Sequence, residues 1–242
     1  MFDFLKKALS QDFFLGACDM HCHLLPGVDD GFQTMEDSLE ALRVLDQKGV
    51  KKMYLTPHFM KEYPNNVRET IEEKFRVFQE KAAEVCHIEL RLAAEHMLDS
   101  RFMNHFENKF LTLGSDDALV LCETSYMMSA PNAKDMLYQI MLEGYQPIIA
   151  HPERYQYASK SMYERWKDRG YLFQLNLLSL GGAYGSPAMR KSHYMLSHGM
   201  YDYIGSDMHR LSTFEKFIPK IKLNKKEMAA LRKLYENNAT LF

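Results

Sequence analysis

The sequence is poor in cysteine, and its few cysteines are spaced in ways that exclude the usual thiol chemistry. The four are Cys18, Cys22, Cys86 and Cys122. No two of them form a C-x-x-C pair, and a chain of 242 residues can bury a core large enough to fold without disulfides. We therefore expect reduced thiols and a cytoplasmic protein. A cysteine-based phosphatase loop, C-x-x-x-x-x-R, is excluded, because none of the four cysteines has an arginine at that spacing.

The sequence also lacks a large excess of either charge, a long apolar run and a nucleotide-binding motif. The formal net charge is -2, so no basic stripe is available to neutralise a phosphate backbone, and we expect no nucleic-acid partner. No apolar run approaches the length of a membrane span. Neither G-x-G-x-x-G nor G-x-x-x-x-G-K occurs, so nothing indicates a nucleotide site.

Residues 1–16 precede the first predicted strand as an N-terminal extension. Their apolar side chains are interrupted by Asp3, Lys6, Lys7 and Asp12, which argues against a signal peptide. We expect a short helix that packs against the domain or a partner. An anchor on a membrane surface is the alternative.

Residues 17–242 alternate between apolar, β-leaning runs and helical patterns. The predicted strands are Ala17–His23, Met53–His58, Ile88–Glu95, Ala118–Glu123, Pro147–His151, Leu172–Asn176 and Tyr203–Asp207. Strands separated by helices indicate parallel βα units. No linker rich in Pro, Gly or Ser divides them. We therefore predict a single α/β domain, a TIM-type barrel that is one strand short, with an open doubly wound sheet as the alternative.

Helix starts are visible between the strands. Thr34 with Asp37 resembles a capping box, and Asn224 with Glu227 resembles another. The other predicted starts are Asn66, Asn132, Ser159 or Lys160, and Pro187. These starts support the βα pattern but carry no chemistry of their own.

Two short segments far apart in the chain carry the strongest chemical signal. Asp19-Met20-His21-Cys22-His23 and Ser206-Asp207-Met208-His209 each follow an apolar stretch. On a strand, side chains at i and i+2 point to the same face. The two imidazoles of the first segment should therefore converge, as should the carboxylate and imidazole of the second. Cys22 should face away from them.

Further metal-binding residue types end the predicted strands between these pairs. In a parallel barrel the carboxyl ends of the strands meet at one mouth, where the chemistry occurs. With Asp30 from the loop after the first strand, the candidate metal ligands are His21, His23, Asp30, His58, Glu95, Glu123, His151, Asp207 and His209. So many acids and imidazoles would destabilise one another without cations, and we predict more than one ion. A donor set with no required thiolate suits Zn, Mn or Fe.

The remaining histidines and the sixth strand lack this context. The sixth strand ends at Asn176, which is not a strong ligand. The histidines that we interpret as ordinary surface or core residues are His87, His96, His105, His193 and His198.

Arg154 and Arg210 are the candidate catalytic residues that would clamp a phosphoryl oxygen. Arg154 lies in His151-Pro152-Glu153-Arg154, and Arg210 follows His209. A guanidinium offers planar, bidentate donors at fixed charge, although a salt bridge at the rim is an alternative role. Four aromatic residues on predicted rim loops could contact a phenyl ring or only pack there: Phe59, Tyr63, Tyr126 and Tyr155.

These motifs together resemble the PHP (polymerase and histidinol phosphatase) superfamily, and more narrowly the bacterial capsular-polysaccharide type of metal-dependent protein-tyrosine phosphatase. The resemblance covers about residues 17–240. Its motifs are H-x-H-x-x-P-G-x-D-D-G from His21, T-P-H ending at His58, I-A-H-P-E-R from Ile149 and G-S-D-M-H from Gly205. The long first motif, together with H-P-E-R and S-D-M-H, is the specific part.

The resemblance implies a distorted TIM-like (β/α)7 barrel of PHP type with three metal ions, manganese first and Fe or Zn as alternatives. On that pattern His21, His23 and Asp207 hold one ion, and Glu95 bridges to a second. Glu123 and His151 complete the second site, while Asp30, His58 and His209 hold the third. The second phosphate-binding arginine expected beyond the D-x-H pair is absent, unless Arg210 substitutes.

The implied activity is hydrolysis of phosphotyrosine by a metal-activated water, with no covalent enzyme intermediate. The implied partner is the tyrosine-rich cytoplasmic tail of a membrane-linked bacterial tyrosine autokinase that controls capsule and exopolysaccharide synthesis. Two alternatives stay open: a small-molecule phosphatase, such as one acting on histidinol phosphate, and a non-enzymatic, metal-stabilised partner of an export complex. The sequence indicates no oligomeric state.

Overall fold

The structure is a computed structural model that describes residues 6–102, 106, 110–116, 118–128 and 130–242. Its strands are β1 (Lys7–Ala8), β2 (Cys18–Asp19), β3 (Lys52–Leu55), β4 (His58–Phe59), β5 (Glu89–Leu92), β6 (Glu95–Met97), β7 (Leu119–Glu123), β8 (Gln146–Ala150), β9 (Leu172–Asn176), β10 (Tyr203–Gly205) and β11 (Lys222–Leu223). Each of the seven predicted runs overlaps at least one of them.

The central strands form a curled parallel sheet. Six strands pair in the order β10-β9-β8-β7-β6-β4, and three pair in the order β2-β3-β5. The two groups are continuous, because β3 leads directly into β4 and β5 into β6, and Glu95 donates its backbone N–H to Pro57 O across the break. At the other side a parallel bridge joins Cys22 to Met208. The curl brings the carboxyl ends of the strands to one rim.

Several predicted strand bounds are wrong, and the causes are local. Met53–His58 is interrupted at Thr56-Pro57, because proline has no N–H to donate to a ladder. Ile88–Glu95 is also two strands, and Tyr203–Asp207 ends early at Gly205. The positive φ of Asp207, 49°, is incompatible with extended backbone.

Seven helices lie in the described part of the chain outside its short 3-10 turns. They are α1 (Met35–Gln47), α2 (Arg68–Ala83), α3 (Ala133–Leu142), α4 (Lys160–Asp168), α5 (Gly185–Ser197), α6 (Leu211–Phe217) and α7 (Lys225–Ala239). Within the part of the chain that the structure describes, none has both the length and the apolar composition needed to cross a bilayer.

Two predicted helix starts are confirmed by their caps and two are displaced. The Thr34 side chain accepts from the Asp37 N–H, and Asn224 with Glu227 forms a complete capping box. Asn66 does not cap α2, because its amide donates instead to the carbonyls of Val28 and His58. Helix α5 begins at Gly185 rather than at Pro187.

The N-terminal segment packs against the domain, as expected, but it does so as a strand and a turn rather than as an α-helix. β1 pairs antiparallel with β11, and a single 3-10 turn spans Gln11–Phe14. The Phe13 and Phe14 rings contact Tyr235. Residues 1–5 of the predicted helix lie outside the described residues.

The core has two parts, on the two faces of the curled sheet. Alternate residues of neighbouring strands, such as Leu121 and Ile148, form a buried cluster with Leu241 near the C-terminus. Their sequence neighbours Cys122 and Ile149 belong to the larger cluster that the helices cover. This alternation determines which strand-end side chains can reach the rim from inside the curl.

Candidate metal centre

The rim of the curled sheet gathers the predicted ligands into three overlapping groups. Each group has ligand atoms that all lie within 4.8 Å of one another. The groups are His21, Glu95, His151 and Asp207; His58, Glu95 and Glu123; and His23, His58 and His209. Asp30 joins the third group, since its Oδ1 lies 3.4 Å from both His58 Nε2 and His209 Nε2. The sequence-predicted residues are thus brought together.

Four ligand atoms at the centre have the spacing that a metal ion requires. His21 Nε2 lies 3.1 Å from His23 Nε2, and these two atoms lie 3.3 and 3.4 Å from Glu95 Oε2. Asp207 Oδ1 lies 3.5 and 3.3 Å from the same two nitrogens. A tetrahedral ion with ligand bonds of about 2.0–2.2 Å separates its ligands by about 3.3–3.6 Å. Four of the five distances fall in this range and the fifth, between the two imidazole nitrogens, is slightly shorter, so the arrangement fits an ion between them.

Unsatisfied atoms support the same conclusion. Glu95 Oε2, Asp207 Oδ1 and His58 Nδ1 are buried and form no hydrogen bond within the described residues. Leaving such groups unpaired in a protein interior costs about 1–3 kcal/mol each, more when they are charged. A cation is the partner that satisfies carboxylate oxygens and imidazole nitrogens at once.

The electrostatics of the cluster also suit cations. Burial opposes ionisation of Glu95 and Asp207, but the neighbouring His21 lowers the pKa of both carboxyls well below the usual range. Burial and the charge of Arg154 lower the pKa of His151 to about 4, which keeps this imidazole neutral and able to coordinate. Burial and the adjacent Glu95 raise the pKa of Glu123 to about 7.

Two ligand side chains reach the site through left-handed backbone. Ala150 faces the inner cluster, so regular alternation would turn His151 outward. A φ of 31° at His151 redirects the ring into the site, and Asp207 has a φ of 49°. Such values are uncommon outside glycine and cluster at functional sites.

Three residues that sequence reasoning missed hold candidate ligands in place. Asp29 Oδ2 accepts from His23 Nδ1 at 2.8 Å, and Gln174 Oε1 lies 3.0 Å from His21 Nδ1. Asn176 Nδ2 donates to Asp207 Oδ2 at 2.7 Å. Partners of this kind fix ring orientation at metal sites. The Asp29-Asp30-Gly31 motif could have identified Asp29 from the sequence, whereas no sequence feature indicates Gln174.

The two candidate arginines have different environments. The Arg154 guanidinium lies between the Tyr126 and Tyr184 rings, 4.3 and 4.0 Å from their centroids, and donates to Asp207 Oδ2. Arg210 is exposed immediately before α6 and lines a separate cavity of about 440 Å³. Arg154 is therefore held rigidly at the centre, and a clamping role for Arg210 stays a prediction.

A cavity of about 560 Å³ opens onto the cluster, and we call it the mouth cavity. Asp30, His58 and Glu123 line it together with Tyr63 and Tyr126. The Tyr63 ring is parallel to the His58 ring, with a centroid distance of 6.2 Å and an interplanar angle of 9°. Phe59 and Tyr155 are buried and do not line it, which contradicts a rim position for these two.

The cysteines and remaining histidines stay outside the three groups in the described part of the chain. All four thiols are unpaired and buried, and Cys22 Sγ donates to Tyr54 O on the far side from the ligands. His96 contacts Phe59 and Phe110, and His193 pairs with Glu227. His105 lies outside the described residues.

Comparison with known proteins agrees with this geometry. The chain is 28% identical over 206 residues to tyrosine-protein phosphatase YwqE of Bacillus subtilis, covering 81% of this chain and 78% of the relative. It is 28% identical over 204 residues to tyrosine-protein phosphatase CpsB of Streptococcus pneumoniae, covering 81% and 84%.

The fold also has solved counterparts. The crystal structures of YwqE from Bacillus subtilis and CpsB from Streptococcus pneumoniae, metal-dependent tyrosine phosphatases, include a chain that matches with a TM-score of 0.72, 24% identity and 93% coverage of each chain. At that identity the likeness concerns the fold. The model of one family, described as capsular polysaccharide synthesis, CpsB/CapC, matches residues 17–240. The chain therefore belongs to the CpsB/CapC family of capsular polysaccharide synthesis.

Proposed function

We propose that this protein is a metal-dependent protein-tyrosine phosphatase that hydrolyses phosphotyrosine without a cysteine nucleophile. The observation that carries the proposal is the convergence of nine acids and imidazoles, Asp30 included, at one rim in a CpsB/CapC family member. YwqE and CpsB, named tyrosine-protein phosphatases, are similar to most of this chain.

The proposed scaffold is a single domain of PHP type over residues 17–242, closed as a distorted (β/α)7 barrel, with residues 1–16 as an extension. The bridge between Cys22 and Met208 supports closure, because it links the segment after β2 to the segment after β10. Closure would remove both exposed edges of the parallel sheet.

The proposed cofactors are three divalent or trivalent ions, manganese first and Fe or Zn as alternatives. The distances support one ion between His21, His23, Glu95 and Asp207. They support a second at Glu95, Glu123 and His151, and a third at Asp30, His58 and His209. Bound ions would polarise the phosphoryl oxygens and lower the pKa of a bound water toward about 7.

Side chains of the protein itself would bind and orient the substrate. Arg154, stacked between two tyrosine rings, would offer its remaining N–H groups to the charge that spreads over the phosphoryl oxygens. Tyr63 lines the mouth cavity with a ring whose hydroxyl has no hydrogen-bond partner in the described residues, and it would pack on the substrate phenyl ring. A phenolate leaving group, with a conjugate-acid pKa of about 10, needs little help from a general acid.

The proposed substrate is a tyrosine-phosphorylated protein, the tail of a membrane-linked bacterial tyrosine autokinase that controls capsule synthesis. The family description supports the link to capsule synthesis. Unpaired thiols at all four cysteines support a cytoplasmic location.

The test is turnover of a phosphotyrosine peptide by protein stripped of metal and reloaded with Mn, Fe or Zn. We expect activity that depends on added metal and exceeds the activity on histidinol phosphate and on a phosphoserine peptide. Asp207→Ala should lose bound metal by elemental analysis and nearly all hydrolysis. Cys122→Ser is the control and should retain both.

Three results would contradict the proposal. Preference for histidinol phosphate would favour the small-molecule alternative, and bound metal without any hydrolysis would favour the non-enzymatic one. A Cys122→Ser variant that is folded, metal-loaded and inactive would restore a thiol mechanism.

A further inference from the structure

A third cavity, which is basic, lies on the outer face of the sheet, between helices α3 and α4. Its volume is about 230 Å³. Lys134, Arg165 and Arg169 line it together with the apolar side chains of Leu137 and Trp166. We call this cavity the basic pit.

The charges of the basic pit are unbalanced. Its three cations form no side-chain hydrogen bond or ion pair within the described residues, whereas Lys167 on the same helix is paired with Asp202 at 2.6 Å. No acidic residue lines the pit. Like charges around one concavity raise its positive potential, and an anion relieves their repulsion. The rim is therefore suited to a multiply charged anion such as a phosphate dianion.

The floor of the pit is suited to an aromatic ring. Leu137, Ile149 and Trp166 are buried there, and Tyr171 adds a second aromatic wall. An apolar cavity of about 150 Å³ holds benzene in another protein, so 230 Å³ is enough for a phenyl ring. A ligand that combines a ring with a dianionic group fits both the floor and the rim.

The pit and the mouth cavity lie on either side of one segment. Thr124 lines the pit, while its sequence neighbours Glu123 and Ser125 line the mouth cavity. A single extended chain bound at the rim can therefore contact both cavities. This placement points to a side chain carried by the substrate rather than to a free metabolite.

We propose that the basic pit binds a second phosphotyrosine of the substrate protein while the first lies at the metal centre. This inference rests on the proposed phosphatase function. The phosphate would lie among Lys134, Arg165 and Arg169, with its ring against Leu137 and Trp166. Because the second contact becomes intramolecular, a substrate with two phosphotyrosines would bind more tightly than one with a single phosphotyrosine.

Trp166 provides a direct readout, because it is the only tryptophan of the chain. Benzylphosphonate, a non-hydrolysable aryl phosphonate, is titrated into the metal-loaded full chain while tryptophan fluorescence is followed. We expect a saturable change that needs at least tenfold more ligand in Arg165→Gln/Arg169→Gln. Arg190→Gln/Arg232→Gln, which removes two exposed arginines elsewhere, is the matched control and should titrate as the parent does. No saturable change, or an equal one in the pit variant, would overturn the proposal.

Kinetics test the link to the substrate. We expect the KM of a doubly phosphorylated peptide to be at least fivefold below that of its singly phosphorylated form. The pit variant should lose this difference while kcat on the single phosphotyrosine stays unchanged. Equal KM values in the parent protein would refute a docking role. If no phosphotyrosine peptide is hydrolysed, the proposed function fails, and the fluorescence titration still shows separately whether the pit binds aryl phosphonates.

Discussion

Asp29 is the residue whose replacement tests the organisation of the metal centre most directly. Its carboxylate is buried and accepts from His23 Nδ1 and from the backbone N–H groups of Gly31 and His58, at 2.8, 2.9 and 3.0 Å. Burial opposes its ionisation, but His23 and His58 lower its pKa, so Asp29 is an anion. It thereby orients the His23 ring so that Nε2 faces the other ligands.

The expected losses of stability and of metal affinity follow from these three hydrogen bonds. Asp29→Ala leaves two buried backbone N–H groups without acceptors, at about 1–3 kcal/mol each, so the unfolding free energy should fall by about 2–6 kcal/mol. Losing the partner of a metal-binding histidine costs about 10–100-fold in metal affinity, and we expect the upper end for alanine. Asp29→Asn keeps one oxygen but loses the charge, so we expect about tenfold and a smaller loss of stability.

Two measurements separate these effects. Competition with a coloured chelator gives the affinity for Mn²⁺, and urea unfolding in the presence of excess chelator gives the stability of the metal-free chain. Asp37→Asn, an exposed acid at the start of α1, is the control and should change metal affinity less than twofold. If Asp29→Ala binds Mn²⁺ within twofold of the parent, Asp29 does not organise the centre.

Two further predictions concern the support of the centre. In Gly205→Ala the new Cβ would lie 2.4 Å from His21 Cβ, so we expect a loss of about 1–3 kcal/mol in urea unfolding together with weaker metal binding. Gly199→Ala has open space and should leave metal affinity unchanged; equal affinities in both variants would refute the clash. Burial raises the pKa of Glu153 from 4.5 to about 7, so the folded state holds its proton more tightly than the unfolded state. This contribution to stability is complete below pH 4.5, falls as the pH rises to about 7, and amounts to about 3 kcal/mol. Glu153→Gln should flatten the unfolding free energy over that range, and an unchanged slope would contradict a protonated Glu153.

Local sequence rules predicted most of the strands and helices, but not all of their bounds, and they predicted the candidate ligands. Thr34 and Asn224 cap helices as their spacing predicts, because a cap is a contact between residues three positions apart. The pairs at His21 and at Asp207 were predicted because side chains at i and i+2 of a strand share a face. The structure brings both pairs to the rim although β2 ends at Asp19 and β10 at Gly205. Asn66 shows where such rules fail, because its amide donates to the carbonyls of Val28 and His58 and does not cap its own helix.

The sequence alone determined the chemistry of this protein: which side chains can ligate metal, and that parallel βα units end at one rim. Only the tertiary structure decided in which direction those side chains point and which partners orient them. Gln174 orients His21 across 153 positions of sequence, and the left-handed backbone of His151 reverses the direction that alternation predicts. The basic pit likewise exists only because the fold brings side chains of α3 and α4 around one cavity. Periodicity encodes contacts within one element, whereas contacts between distant elements depend on packing that no local pattern records.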